Sequence, residues 1–321
     1  MNPFDLSSGE NIFDVVKKDI PGFNSSRGAG SRRNAKTISK MACSRDVIVI
    51  GTVDNFISKW SPYLDAESEY EPIELPRRSD ESIEHIFIDP SGNHCIVTMT
   101  NGDNYYIFTR SQQQRYKKIS RFQGNVESIA FDKNGGTETQ TRSFLVATNI
   151  GYIYELCLES SGKEKVNQQV FQLDQPLSIT SLHFEYVGAS SGDERYVGLV
   201  PDAKIFVLCA TSSPTRLYTF YGGPNFQQLF LDQVQRGPAS FNELPGDIKR
   251  AELHFYRDRL QSGIGSVTTS TANNRQTFAL MTDVGIYYGS AMFPSSASSK
   301  RYGCCCRCRC CCCLIALYVH L

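Results

Sequence analysis

The chain has 321 residues with 33 basic and 33 acidic side chains, so its net charge is zero and no long-range field favours nucleic acid or anionic lipid. A hydrophobic fraction of 40% with 11% aromatics suits a globular β protein. No run approaches the ~18 apolar residues that span a bilayer, and the N-terminus lacks a signal peptide's apolar core, so the default compartment is the cytosol.

In chain order, residues 1–36 are rich in Ser, Gly, Asn and charge and read as a disordered arm. Within it, Ile12, Phe13, Val15, Val16 and Ile20 suffice for one strand over residues 11–20. A loose arm with a few apolar residues fits them equally well. A first repeat follows, with Ile38, Met41 and Cys43, then Val47-Ile48-Val49-Ile50, then Phe56-Ile57. Trp60 falls in its third strand as a packing residue, and residues 67–76 form an acidic, Pro-punctuated loop.

Residues 83–108 show the pattern most clearly. Ile83, Ile86 and Ile88 lead into Asp89-Pro90-Ser91-Gly92, whose Asp, Pro and Gly stand where a type I turn favours them. Cys95-Ile96-Val97-Thr98-Met99 follows, then the tight turn Asn101-Gly102-Asp103, then Tyr105-Tyr106-Ile107-Phe108. β-branched and aromatic residues fill three successive strands. A weak fourth strand lies in residues 111–121, where Tyr116 and Ile119 alternate with charge.

The third repeat carries Val126, Ile129 and Phe131, then Phe144-Leu145-Val146-Ala147, then Tyr152-Ile153-Tyr154, with an outer strand at Gln169-Val170-Phe171-Gln172-Leu173. The fourth carries Ile179, Leu182 and Phe184, then Tyr196-Val197-Gly198-Leu199-Val200, then Ile205-Phe206-Val207-Leu208. Its outer strand reads as Arg216-Leu217-Tyr218-Thr219-Phe220-Tyr221. Residues 222–246 form a Gly/Pro-broken connection of a length that is uncommon in compact domains and often functional. The fifth repeat starts near Ile248, runs through Leu253 and Phe255, Phe278-Ala279-Leu280-Met281 and Ile286-Tyr287-Tyr288, and ends at Gly289.

The marker positions Cys43, Ile88, Phe131, Phe184 and Phe255 are spaced by 45, 43, 53 and 71 residues. The first two intervals match the roughly 40–50 residues of a propeller blade, and insertions stretch the others. The expected fold is an all-β, WD40-like β-propeller with about five blades over residues 37–289. Cys43, Cys95, Cys157 and Cys209, scattered singly through strands, read as small buried hydrophobes of a reducing compartment.

Residues 290–321 break the pattern, with eight Cys gathered between Cys304 and Cys313. A zinc or copper cluster needs ligands spaced to wrap a tetrahedron, which contiguous Cys oppose. A palmitoylated patch beside Leu314 is a second reading. A tail that is not native sequence, from a frame change or a retained intron, is the third and accounts best for the composition. The tail is left out of the fold.

Several stretches resemble the N-terminal propeller of the vacuolar protein sorting-associated protein eighteen family, the Pep-three/deep orange family. They are Ile86-Phe87-Ile88-Asp89-Pro90-Ser91-Gly92-Asn93-His94, Gly136-Thr137-Glu138 leading to Leu145-Val146-Ala147-Thr148-Asn149-Ile150-Gly151-Tyr152-Ile153-Tyr154-Glu155, Phe241-Asn242-Glu243-Leu244-Pro245, Ala251-Glu252-Leu253-His254-Phe255-Tyr256, and Phe278-Ala279-Leu280-Met281-Thr282 leading to Gly285-Ile286-Tyr287-Tyr288-Gly289. Their order and spacing also agree with that family. The resemblance implies a core subunit of the class C tethering complexes HOPS and CORVET, which hold endosomal, lysosomal or vacuolar membranes together through Rab GTPases and pass them to SNARE-driven fusion. It also implies a ring of seven blades, so that five form an incomplete ring. The family's solenoid and zinc-binding RING have no counterpart here, and the Cys tail has the wrong spacing for RING ligands.

The residues that invite a catalytic or metal reading have plainer explanations. His183 and His254 take equivalent places one residue before their markers, where two imidazoles of adjacent blades would approach a shared metal. A repeat position that tolerates a half-buried ring explains them as well, since its other occupants are Ala130, Phe87 and Ala42. Asp89, Asp132 and Glu185 follow the markers directly, where an acidic side chain caps a turn. Gly51, Gly102, Gly151 and Gly285 lie at or near hairpins. Gly28-Ala29-Gly30 precedes no strand–helix unit, and neither G-x-S-x-G nor H-E-x-x-H occurs. The sequence therefore predicts an interaction module with no catalytic residue, cofactor or metal site. A generic propeller scaffold or a propeller hydrolase is the alternative.

Overall fold

The computed structural model describes residues 37–60, 72–76, 81–111, 115–187, 204–246, 248, 251–256, 275–292 and 315–320. Within them lie five antiparallel sheets, each of four strands taken in chain order. Sheet one holds β1 (Ile38–Ser44), β2 (Val47–Thr52), β3 (Phe56–Trp60) and β4 (Ile73–Glu74). Sheet two holds β5 (Ile83–Ile88), β6 (His94–Met99), β7 (Asn104–Phe108) and β8 (Lys117–Ile119). Sheet three holds β9 (Val126–Ala130), β10 (Phe144–Thr148), β11 (Tyr152–Leu158) and β12 (Glu164–Gln172). Sheet four holds β13 (Ile179–Val187), β14 (Lys204–Thr211), β15 (Arg216–Gly222) and β16 (Phe241–Glu243), with helix α1 (Phe226–Arg236) between the last two. Sheet five holds β17 (Ala251–Tyr256), β18 (Arg275–Thr282), β19 (Ile286–Met292) and β20 (Ile315–His320).

The middle strands are apolar almost without interruption because they are buried on both faces. Alternate side chains divide between two neighbours. In β6, Cys95, Val97 and Met99 join Val47, Val49 and Ile57 in a core between sheets one and two. Ile96 and Tyr106 turn the other way and meet Phe144, Val146 and Leu156 of sheet three. Leu145 and Ala147 then pack with Val207 and Phe220 of sheet four, whose Phe206 and Leu208 meet Phe278 and Leu280 of sheet five. Among the described residues no such core joins sheet five to sheet one, so the arc of blades is open.

Several expectations are corrected. In sheet four the run Ile205–Leu208 lies in the second strand, because β13 pairs directly with β14 from Ile179↔Thr211 to Val187↔Lys204. The segment read as an outer strand is the third, β15, and the outer strand is β16. The run at 196–200 lies outside the described residues, as do the arm 1–36 and the strand expected at 11–20. Cys95, Cys157 and Cys209 are buried as expected, but Cys43 is exposed, because its side of β1 faces none of the described sheets. The loop at 67–76 contributes the short β4. The last blade passes Gly289, since β19 runs to Met292 and takes its outer partner, β20, from the segment left out of the fold.

The long connection contains α1, which an i, i+3, i+4 pattern already encodes in Phe226, Leu229 and Phe230. All three are buried, with Phe226 edge-on to Phe184 at 4.9 Å and Phe230 against Phe171 at 5.1 Å and Phe220 at 5.2 Å. Asn225 caps the helix, its Oδ1 accepting the Gln228 N–H at 2.9 Å. Asn225→Ala is expected to cost about 1 kcal/mol and Asn225→Asp almost nothing, as read from urea unfolding midpoints. Equal losses for the two variants would show that the cap does not hold the helix.

Candidate interaction surface

The turn that closes β5 organises the junction of sheets two and three. Asp89 is buried, and its carboxylate accepts the N–H groups of Ser91 at 3.2 Å, Asn93 at 2.9 Å and His94 at 2.9 Å, together with the Ser91 hydroxyl. A further N–H reaches it across the junction from Gly136 at 2.8 Å. Burial by itself raises this carboxyl, but the donors from Gly136, Ser91 and His94 outweigh it and hold the pKa below the ordinary value. The turn-capping role expected of Asp89 is therefore seen, with an inter-blade bond added. Asp132 caps its own turn by accepting the Asn134 N–H at 2.9 Å. Glu185 does not, because β13 continues past it to Val187.

His94 completes the junction. Its Nε2 lies 2.7 Å from the Thr137 carbonyl and must donate, which leaves Nδ1 to accept the Tyr106 hydroxyl at 2.7 Å in a neutral ring. Burial pushes the imidazole below its ordinary pKa, in keeping with that tautomer. Gly136 is required by close approach, since a Cβ there would meet His94 Cδ2 at 2.6 Å and Gln140 O at 2.8 Å. The sequence reading gave His94 no role, although its fixed offset from Asp89 was the available signal.

The inner strands present a second kind of chemistry. Adjacent ones are stitched by polar side chains, with the Ser128 hydroxyl on Ile179 O at 2.7 Å, Thr180 on Ala251 O at 3.0 Å, and Ser181 accepting Leu253 N–H at 2.9 Å. His85 on β5 lies 3.7 Å from Glu127 on β9. His183 and His254 each stand 3.5 Å from a carboxylate of their own strand, Glu185 and Glu252 respectively. Among the described residues no group of three or more His, Cys, Asp or Glu side chains is gathered that could hold a metal. The geometry is that of polar stitching between blades, with ionisable groups along the inner strands and the α1–β16 insertion on sheet four.

Comparison with known proteins follows the same lines. The family model for the Pep3/Vps18/deep orange beta-propeller domain matches residues 24–302. Vacuolar sorting protein 18 of Arabidopsis thaliana is 28% identical over 270 residues, which cover 83% of this chain and 25% of that protein. The vacuolar protein sorting-associated protein 18 homolog of Danio rerio is 28% identical over 68% of this chain and 21% of its own length. Vacuolar membrane protein pep3 of Schizosaccharomyces pombe is 34% identical over 88 residues, 26% of this chain and 9% of that protein. The chain thus spans about a quarter or less of these relatives. Among solved structures, the Cps50 (Swd1) beta-propeller domain of Myceliophteria thermophila matches with a TM-score of 0.45 at 11% identity, over 83% of this chain and 68% of that one.

Proposed function

The chain belongs to the Pep3/Vps18/deep orange β-propeller family, and from that membership we propose that it is a non-enzymatic interaction module of a class C tethering subunit. In this reading it acts within HOPS and CORVET assemblies in vesicle docking and fusion, endosome and lysosome organisation and vacuolar protein transport. Its direct partners are other class C subunits, and through them Rab GTPases and SNAREs. It is held peripherally at the late endosomal, lysosomal or vacuolar membrane. The family match over residues 24–302 carries the proposal. Two further observations support it. The relatives are named for vacuolar sorting, and no described helix is long and apolar enough to cross a membrane.

The test is affinity purification of the tagged chain from cells, with class C subunits and vacuolar membrane markers followed in the eluate. Enrichment of both is expected, together with no turnover of ester, glycoside or phosphate substrates by the purified chain. A folded chain that enriches neither would overturn the proposal. So would hydrolysis that is lost in His183→Ala.

A further inference from the structure

Basic side chains gather around the outer strand of sheet two. Arg115, Lys117 and Lys118 precede Ser120, and Arg121 follows it. Lys117-Lys118-Ile119-Ser120 is the only place in the sequence where two adjacent basic residues stand three and two positions before a Ser or Thr. Lys118 Nζ and Arg121 Nε share one carboxylate, that of Asp103, each at 2.6 Å. Both side chains stay more than half exposed, at 52% and 57%. Arg115 and Lys117 are exposed as well.

Ser120 stands where the chain leaves β8, exposed, at the start of a stretch (120–125) that belongs to no strand or helix. β8 itself has three residues and, among the described residues, pairs only with β7. Its Ile119 is buried in the core shared with sheet three. At the rim above that core, the Ser120 N–H donates to Glu164 Oε1 at 2.7 Å and the Ser120 hydroxyl to Oε2 at 2.9 Å. One carboxylate of β12 thus clasps the end of β8 across the junction, with Asn167 donating to the same Oε2 at 2.6 Å. Because the hydroxyl is the donor, its oxygen keeps its lone pairs.

We propose that Ser120 is a phosphorylation site for a basophilic serine/threonine kinase, and that the phosphate opens the clasp between sheets two and three. A kinase whose peptide groove carries carboxylates reads cations at the third and second positions before its target, and Lys117 and Lys118 supply them. In the reaction the Ser120 Oγ attacks the γ-phosphorus of ATP and forms the new O–P bond. The bond from that phosphorus to the bridging oxygen breaks, ADP leaves, and the hydroxyl proton passes to the kinase's base. The phosphoserine has lost the proton that it gave Glu164 and carries about −1.5 to −2 charge at neutral pH, which sets one anion against another. Lys118 and Arg121 flank the phosphate and hold it on the sheet-two side. Glu164 is released, and the rim of the junction opens over an intact apolar core. This inference stands apart from the tethering proposal and survives its failure.

The experiment incubates the full chain, in reducing buffer, with Mg2+, ATP and the catalytic subunit of cyclic-AMP-dependent protein kinase as a probe of the basophilic class. Mass spectrometry is expected to place the first phosphoryl group on Ser120. Ser120→Ala should lose that incorporation, and the double variant Lys117→Gln, Lys118→Gln should slow it about tenfold or more, through lost charge-assisted contacts to the kinase. Hydrogen exchange then reads the clasp. On phosphorylation the amides of residues 120–124 and 159–168 should exchange faster, while those of β10, inside the core, stay as they were. Ser120→Ala carried through the same incubation should show no change. Absence of incorporation, or modification elsewhere with Ser120 left bare, would overturn the inference. So would modification of the double lysine variant at the wild-type rate. Phosphate on Ser120 with unchanged exchange at the rim would overturn the opening of the clasp. Circular dichroism confirms that each variant is folded.

Discussion

Asp89→Ala is expected to lower the unfolding free energy by about 4 kcal/mol, because it strips the acceptor from several buried donors at once. The carboxylate takes N–H groups from Ser91, Asn93, His94 and Gly136 and the hydroxyl of Ser91. A hydrogen bond to a charged group contributes roughly 1.5–3 kcal/mol, and a buried donor left without a partner costs about 1–3 more. Those figures do not add, since the donors share one turn and relax together. Asp89→Asn keeps an acceptor oxygen and should lose about half as much. Acid should act on the same junction in two stages. Burial keeps the folded pKa of His94 below its ordinary value near 6.5, so the stability from its neutral ring is present above about pH 6.5 and is lost as pH falls through the folded value. The depressed Asp89 carboxyl adds a further loss below its own ordinary range near 3.9. Urea midpoints with an unchanged slope measure both effects. A loss under about 1 kcal/mol for Asp89→Ala would show that the junction is held by its apolar neighbours alone.

A second large effect is expected at Lys59, on alkaline titration. This side chain is buried at the junction of sheets one and two, with its ammonium donating to Thr109 O and Ser111 O, each at 3.0 Å. Desolvation pushes its pKa down to about 8 from an ordinary 10.5. Below pH 8 the amine is charged in both states, and its burial is a constant cost. Between about pH 8 and 10.5 the folded state has released a proton that the unfolded chain still holds. Unfolding then takes up a proton, and stability rises with pH. Relative to Lys59→Met, wild type should gain about 3 kcal/mol across that window. Taking the difference between the two proteins removes the opposite trend from Cys95, whose thiol burial pushes up to about 12. A difference that stays flat from pH 7 to 11 would mean that the ammonium is better solvated than its surroundings indicate.

The blades were legible because their chemistry is local. Runs such as Cys95–Met99 are apolar at all but one position and buried along their whole length, and turns such as Asp89–Gly92 carry residues that only one backbone conformation favours. Partners in space were not legible. The sequence shows Asp89 beside Ser91, but not that Gly136 would reach it from the next sheet. It shows Lys59 next to Trp60 in an amphipathic run, but not that the Thr109 and Ser111 carbonyls would receive the amine. In the fourth blade, two apolar runs competed for the second strand, and pairing with β13 decided between them. Helix α1 was missed for a different reason. Gly222, Gly223 and Pro224 drew attention to a break, while the cap at Asn225 and the buried trio behind it went uncounted. The inner-strand pairs lie between these cases. His183 and Glu185 alternate on one strand face, so their proximity is implied by period two, whereas the His85–Glu127 contact depends on how two sheets meet.

Each sheet borrows its hydrophobic core from its neighbours, and this shapes how the molecule comes apart. An arc of n blades has n − 1 junctions, so a terminal blade is released by breaking one of them, while a central blade requires two. Stability is then a nearest-neighbour sum, as in linear repeat arrays, and it is graded along the chain. Sheet three, clasped by Phe144 and Val146 on one side and Leu145 and Ala147 on the other, is the keystone. Sheets one and five, each joined to the others by one described core, fray first. Any partner that packs on a terminal sheet adds a junction without adding a blade to be ordered, and so converts a fraying end into an interior one.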